Sequence, residues 1–248
     1  MAKTVFVTGA TSGIGKACVE RFSREGHRVV FCGRRMEKLK SLADSLPTEN
    51  HFFSLDVRDA EAVKKSIADL PESFKNIDIL INNAGLARGR SAIQDGLLSD
   101  WEEMIDTNVK GLLYVSKAVI PGMQNRKSGH IINIGSIAGK EVYPSGNVYC
   151  ATKKSVDALS QAMRIDLVED NIKVTQICPG AVNTEFSKVR YHGDQAKADA
   201  TYIGFNELKA EDVADSIYYC AQLPPHVTIN DLVIMPTAQA SATVIHKS

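Results

Sequence analysis

Tyr149 and Lys153 stand four residues apart in Tyr149-Cys150-Ala151-Thr152-Lys153, a spacing that puts both side chains on one face of a helix. A free phenol ionises near pH 10 and is a poor base at neutral pH. An ammonium held about 5 Å away, at an effective dielectric near 20, favours the phenolate by roughly 3 kcal/mol, or about two pKa units. Such a pair suits proton transfer to or from an alcohol oxygen. Ser136 could donate to the same oxygen and fix a carbonyl for hydride attack. The pair alone carries little weight, because a chain with seven Tyr matches a short pattern easily. Ser136 also reads as a turn hydroxyl, and Asn108 as a helix residue bonding locally.

A second constellation lies near the start, in Thr8-Gly9-Ala10-Thr11-Ser12-Gly13-Ile14-Gly15. Gly9 permits a sharp turn, Gly13 permits close backbone approach, and Gly15 lets a helix pack against the strand before it. The helix that follows offers free N–H groups and a partial positive charge to a pyrophosphate. The spacing is Gly-x-x-x-Gly-x-Gly rather than the commoner Gly-x-Gly-x-x-Gly. About 20 residues on, an NAD site usually carries a carboxylate for the ribose 2′-hydroxyl. Here the chain has Phe31-Cys32-Gly33-Arg34-Arg35. Two guanidiniums can clamp a 2′-phosphate, which favours NADP. The alternative is that Arg34 and Arg35 merely solvate a helix start.

These groups need a scaffold. The 248 residues carry 29 Lys+Arg and 29 Asp+Glu, with 44% apolar and 23% charged residues, an ordinary globular composition. Zero formal charge gives no case for a nucleic-acid or membrane partner. Five scattered Cys form no C-x-x-C pair, so a reducing compartment and a cytoplasmic location are expected. No long apolar stretch reads as a signal peptide or membrane span. Six scattered His show no ligand spacing, and no metal is expected.

Short apolar runs at Thr4–Thr8, Arg28–Cys32, His51–Leu55, Ile77–Ile81, His130–Gly135, Lys173–Cys178 and Asp231–Met235 alternate with helical stretches. Helix Gly13–Glu25 stops at Gly26, Asp59 is placed as an N-cap, and Ser99-Asp100-Trp101-Glu102 reads as a capping box. The pattern predicts an α/β chain: a Rossmann-type, doubly wound three-layer sandwich with a parallel sheet of about seven strands, spanning residues 1–248 as a single domain. Ligands bind such sheets beyond the carboxyl ends of the strands. Asp56-Val57, Asn82-Asn83-Ala84-Gly85, Ser136 and Tyr149 all fall there.

Taken together, Thr8–Gly15, Asn82–Gly85, Asn108, Ser136, Tyr149, Lys153 and Pro179-Gly180-Ala181-Val182-Asn183-Thr184 resemble the motif set of the short-chain dehydrogenase/reductase family. The resemblance implies hydride transfer between NAD(P) and a carbonyl or alcohol. It assigns Tyr149 as general acid/base, Lys153 as ribose ligand and pKa depressor, Ser136 as the group that orients substrate, and Asn108 as holder of a relay water. It places the cofactor on Gly9, Thr11, Ser12, Gly13, Ile14 and Gly15. It adds Asp56 and Val57 at adenine, Asn83, Ala84 and Gly85 beside the adenosine, and Pro179, Gly180, Val182 and Thr184 at nicotinamide. Trp101–Asn108, His130–Ser136, Gly146–Tyr149 and Thr184-Glu185-Phe186-Ser187-Lys188-Val189-Arg190 are similar to a narrower subgroup. These are NADP-dependent 3-hydroxy acid dehydrogenases acting on L-allo-threonine, L-serine and related short acids, with a link to malonic semialdehyde reduction. A homotetramer is implied as well, with Val156, Leu159, Met163 and Leu167 either in an interface or against the sheet.

Residues 181–208 carry little core pattern and read as a mobile substrate loop. A small anionic hydroxy acid needs a cation. Arg190 is the first candidate, with Arg88 and Arg90 behind it. Cys150 reads as a small buried residue, and the tail after Pro236 as a segment that frays or crosses an interface. Two rival functions stand beside the hydroxy-acid dehydrogenase: a broad carbonyl reductase, and an NADP-sensing protein without catalysis.

Overall fold

The computed structural model describes residues 2–248. Seven strands, β1 (Thr4–Thr8), β2 (Arg28–Gly33), β3 (Asn50–Ser54), β4 (Ile79–Asn82), β5 (Gly129–Ile134), β6 (Ile172–Pro179) and β7 (Asp231–Ile234), form one sheet in the order 3-2-1-4-5-6-7. Every pairing is parallel. Each strand lies within two residues of its run in the sequence.

Helices α1 (Gly13–Arg24), α2 (Met36–Ser45), α3 (Ala60–Ala68), α4 (Leu98–Ile105), α5 (Leu112–Arg126), α6 (Asn147–Leu167), α7 (Glu185–Arg190), α8 (Gln195–Ala200) and α9 (Ala210–Gln222) complete the chain. The five inner strands, β1, β2, β4, β5 and β6, are buried at almost every position because both their faces are covered, whereas the edge strands β3 and β7 are partly exposed. Alternate residues feed opposite cores. Val5, Val7, Val29, Phe31, Ile79 and Ile81 pack with α1, α2 and α9. Phe6, Val30, Leu80, Ile131 and Val174 pack with α3, α5 and α6.

Asp59 caps α3, its Oδ1 accepting from the Ala62 N–H at 2.9 Å. The Ser99 capping box is not formed. α4 begins two residues earlier than that box would place it, with Leu97 at the cap position, so Ser99 lies inside the first turn. Asp100 turns inward to accept from His192 Nε2 at 3.1 Å. The stripe Val156, Leu159, Met163 and Leu167 packs on the sheet core, which resolves that alternative against an interface. Among the described residues no helix is long and apolar enough to cross a membrane.

Residues 181–208 are not a featureless loop. They hold α7 and α8, and a parallel bridge between Val182 and Leu208 closes the base. The tail does not fray. Gln239 Oε1 accepts from the Ala181 N–H at 2.8 Å, Gln239 bridges Ile245, and the Ser248 N–H reaches the Gly204 carbonyl at 2.8 Å. The last residues thus fold back onto the 181–208 segment.

Candidate active site

The strand order reverses between β1 and β4, and the carboxyl ends of the strands open there into a cleft of ≈ 990 Å³. The two sides are tied by one threonine. Thr8 Oγ1 accepts from the N–H groups of Asn83 and Ala84 at 3.1 and 3.0 Å. Asn83 Nδ2 returns bonds to the Thr8 and Gly9 carbonyls at 2.8 and 3.1 Å. Gly9 and Gly13 take the left-handed region, with φ +69° and +54°. A Cβ on Gly15 would meet the Gly9 carbonyl oxygen at 2.5 Å. Gly15 therefore packs the helix against the turn, behind the cleft, rather than against the strand.

Gly9, Thr11, Ser12, Gly13, Ile14, Arg34, Arg35, Asp56, Val57, Asn83, Ala84, Gly85, Ser136, Tyr149, Lys153, Pro179, Gly180, Val182, Thr184 and Arg190 all line this cleft. Of the site residues read from the sequence, Gly15 and Asn108 do not.

At one end the two arginines after β2 differ. Arg35 donates from Nε and Nη2 to Thr11 Oγ1 at 3.1 and 2.7 Å, and from Nη2 to Ser12 Oγ at 2.9 Å. It also donates from Nη1 to Glu185 at 2.7 Å. Arg34 has only a long contact of 3.8 Å to Glu103 and is the freer group. Asp56 is paired with Arg58 at 2.6 Å, and the hydrogen bond from Arg58 holds its carboxyl below the usual range against burial.

At the other end the groups are buried. Ser136 Oγ accepts from the Ala138 N–H at 3.1 Å at the start of a short 3₁₀ turn. That contact occupies one acceptor site of the hydroxyl and leaves its O–H free to donate. Lys153 Nζ donates to the Ile134 carbonyl at 2.8 Å, and burial lowers its pKa to about 8. Burial pushes the Tyr149 phenol upward. The Arg190 charge and the Ser136 hydroxyl oppose that shift, while Tyr143 and Cys150 add to it. The Lys153 ammonium is thus turned to the β5 carbonyl. The guanidinium of Arg190 is the cation on the ring, 5.0 Å from its centroid.

Arg190 is itself half-buried. It donates to the Tyr143 hydroxyl, lies 5.6 Å over that ring, and its Nε has no partner. Arg88 is committed to Glu103 at 2.7 Å and to the Val189 carbonyl at 3.0 Å, so it holds α7 in place and is removed as a substrate ligand. Arg90 lines the cleft beside Tyr143.

Asn108 sits in a π-helical turn, Asp106–Gly111, between α4 and α5. Its Oδ1 accepts from the Leu86 N–H at 2.8 Å. Its Nδ2 donates to the Leu86 carbonyl at 2.8 Å and to Thr152 Oγ1 at 3.1 Å. The side chain thus joins three elements. Such turns often mark functional positions.

Sequence reasoning passed over Tyr143, Glu185 and Gln239, which also line the cleft. Glu185 stands next to a motif threonine, yet its partners are about 150 residues away in sequence. Gln239 had no signal at all. Cys150 is buried, as its size and flanking residues suggested.

The comparisons agree with this geometry. A family model described as short chain dehydrogenase matches residues 3–195. The NADP-dependent 3-hydroxy acid dehydrogenase YdfG of Escherichia coli (strain K12) is 48% identical over 239 residues, covering 96% of each chain. Sulfoacetaldehyde reductase of Chromohalobacter salexigens is 46% identical over 243 residues, covering 97% of this chain and 96% of the relative. Among solved structures, the closed form of serine dehydrogenase complexed with NADP+ superposes with a TM-score of 0.95 at 47% identity. It covers 99% of this chain and 100% of its own. Sheet order, motif placement and these likenesses converge: the chain belongs to the short-chain dehydrogenase family of oxidoreductases.

Proposed function

We propose that this chain, with residues 1–248 acting as one dinucleotide-binding unit, transfers hydride between NADP and the hydroxyl-bearing carbon of short 3-hydroxy acids. L-serine, L-allo-threonine and 3-hydroxypropionate, with malonic semialdehyde in reverse, define the class. The observation that carries the reading is Arg190: a half-buried guanidinium stacked over Tyr149, whose shielded Nε–H has no partner among the described residues. A shielded donor left unmet is costly, and a small carboxylate supplies both the acceptor and the opposite charge.

NADP fits the cleft. Gly9 and Gly13 offer a backbone cradle, and Arg34 is free for a 2′-phosphate. When bound, NADP supplies the hydride acceptor and NADPH the donor. In the oxidation, Tyr149 takes the hydroxyl proton, Ser136 donates to the same oxygen, and Arg190 holds the carboxylate. Lys153 stays largely charged at neutral pH and supports the phenolate once the ribose lies between the two side chains. Asn108 would hold a water of the proton relay.

The likeness to the 3-hydroxy acid dehydrogenase and to the closed, NADP+-complexed serine dehydrogenase supports this reading, and supports taking the present arrangement as the closed one. A sulfonate is a second head group for the same cation, in line with the sulfoacetaldehyde reductase relative. Exposed Leu97 at the cap of α4, Leu98 and Ile105 on α4, and Leu113 on α5 are consistent with a homotetramer.

The test is a turnover screen with NADP and NAD against L-serine, L-allo-threonine, 3-hydroxyisobutyrate, 3-hydroxypropionate, sulfoacetaldehyde with NADPH, and a hydrophobic alcohol. Preference for the hydrophobic alcohol would overturn the carboxylate argument in favour of a broad carbonyl reductase. Binding of NADP without turnover of any of them would favour a sensor.

A further inference from the structure

The segment that leaves β6 does more than line the cleft, because the start of α7 crosses over the glycine turn. Thr184, the N-cap of α7, lies so close that a Cβ on Gly13 would come within 3.1 Å of its methyl group. The next residue, Glu185, reaches the far bank. Its Oε2 accepts from Arg35 Nη1 at 2.7 Å and its Oε1 from Lys38 Nζ at 2.7 Å. The same Arg35 guanidinium is pinned to Thr11 and Ser12 of the glycine turn. One carboxylate therefore joins the 181–208 segment, the end of β2, the first turn of α2 and the glycine turn. A dinucleotide laid along the cleft from Arg34 to Tyr149 would run beside this bridge.

The bridge is open to water, its side chains between 40% and 47% exposed. Exposed ion pairs are weak and make and break readily. Burial works to raise the pKa of Glu185, but the bonds from Lys38 and Arg35 prevail and bring it to about 2. The carboxylate is ionised throughout the working range. α7 is only six residues long, with Glu185 at one end and Arg190 at the other, roughly 7.5 Å apart along the axis. A contact that fixes one end fixes the other.

We propose that the Glu185–Arg35–Lys38 bridge is a latch on the bound dinucleotide: it holds α7 across the pyrophosphate channel and sets the rate at which the dinucleotide leaves. Glu185 is a positioning residue, acting through α7. The inference rests on the NADP reading above. Movement of such segments commonly limits product release, so the latch bears on turnover without touching the reacting atoms.

The experiment is NADPH release from the full chain, followed by stopped-flow fluorescence in wild type, E185Q, K38M and the double variant. Each single variant is expected to release NADPH about three- to tenfold faster, the range an exposed carboxylate with several donors supplies. The double variant should be no faster than E185Q, because both remove the same contact. The ratio of E185Q to wild type should fall towards one near 1 M salt, where the Debye length is about 3 Å; a purely structural role would leave it unmoved. Unchanged release in both single variants overturns the latch. Slower release in E185Q also overturns it, since the carboxylate would then be opposing the 2′-phosphate. Tight binding of NADH with none of NADPH would instead overturn the cofactor reading, and the same release measurement on NADH then judges the latch.

Discussion

The two ends of the cleft each present an arginine, and the two are kept in opposite ways. Arg35, at the adenosine end, is 43% exposed and has bonds to Thr11, Ser12 and Glu185. Arg190, at the substrate end, is half-buried among Tyr143, Tyr149 and Phe186, with Nε shielded and unmet. Water and neighbouring side chains already satisfy the first. The second is partly shielded by aromatic rings before any ligand arrives, so an anion that reaches it meets an interaction less weakened by solvent than at the open end. Recognition at the open end rests on a network that can rearrange, and chemistry at the closed end rests on groups that cannot.

Breaking the closed end should have the largest effect. Tyr149→Phe removes the proton carrier while keeping the ring between Arg190 and Phe186. Turnover should fall by about 10³-fold or more, with the NADP Kd, measured by fluorescence titration, within about threefold of wild type. Retained turnover would show that the phenol is not the acid/base.

Arg190→Met tests whether this cation is kept for the ligand. The kcat/KM for a 3-hydroxy acid should drop by about 10²-fold, with a neutral alcohol hardly affected. The thermal midpoint should hold, because a partly shielded, imperfectly paired charge is replaced by an apolar chain of similar length. A fall in both substrates and in stability would make Arg190 a structural residue.

At the open end, Arg34→Ala should weaken NADP by about tenfold, the loss of one charge-assisted contact, and leave NAD unchanged. Equal losses for both cofactors would move 2′-phosphate recognition elsewhere.

The smallest effect is expected far from both ends. His130, near the amino end of β5, bonds Thr175 at 2.8 Å, and burial lowers its pKa to about 3. Between pH 6.5 and 3 the unfolded chain takes up a proton there that the folded chain refuses, so stability falls as pH falls through that window. His130→Asn should make the acid-side decline shallower in urea melts between pH 4 and 7, with no change in kcat. An unaltered slope would show that other groups drive the decline.

The positions of the strands were legible because a strand covered on both faces is a short apolar run, and each run here is bounded by helices with a different period. The cleft was legible for a related reason: a parallel sheet fixes where its strands end, and motif residues cluster there. Helix starts were less so. Asp59 caps α3, whereas Ser99 was displaced when Asp100 was drawn inward to His192, a partner 92 residues away. The stripe on α6 had two possible neighbours, and only packing chose the sheet.

By itself the sequence determined the α/β architecture, the glycine turn, the missing carboxylate after β2 and the residue types at the reacting centre, all properties of local spacing. The tertiary structure decided what long-range contacts alone can set. It turned Lys153 to a β5 carbonyl, gave Tyr149 a guanidinium neighbour, separated a free Arg34 from a committed Arg35, and laid Glu185 and the tail across the cleft. Charge and hydrogen bonding act over a few ångströms of space, and residues 150 apart in the chain meet only once the sheet has formed.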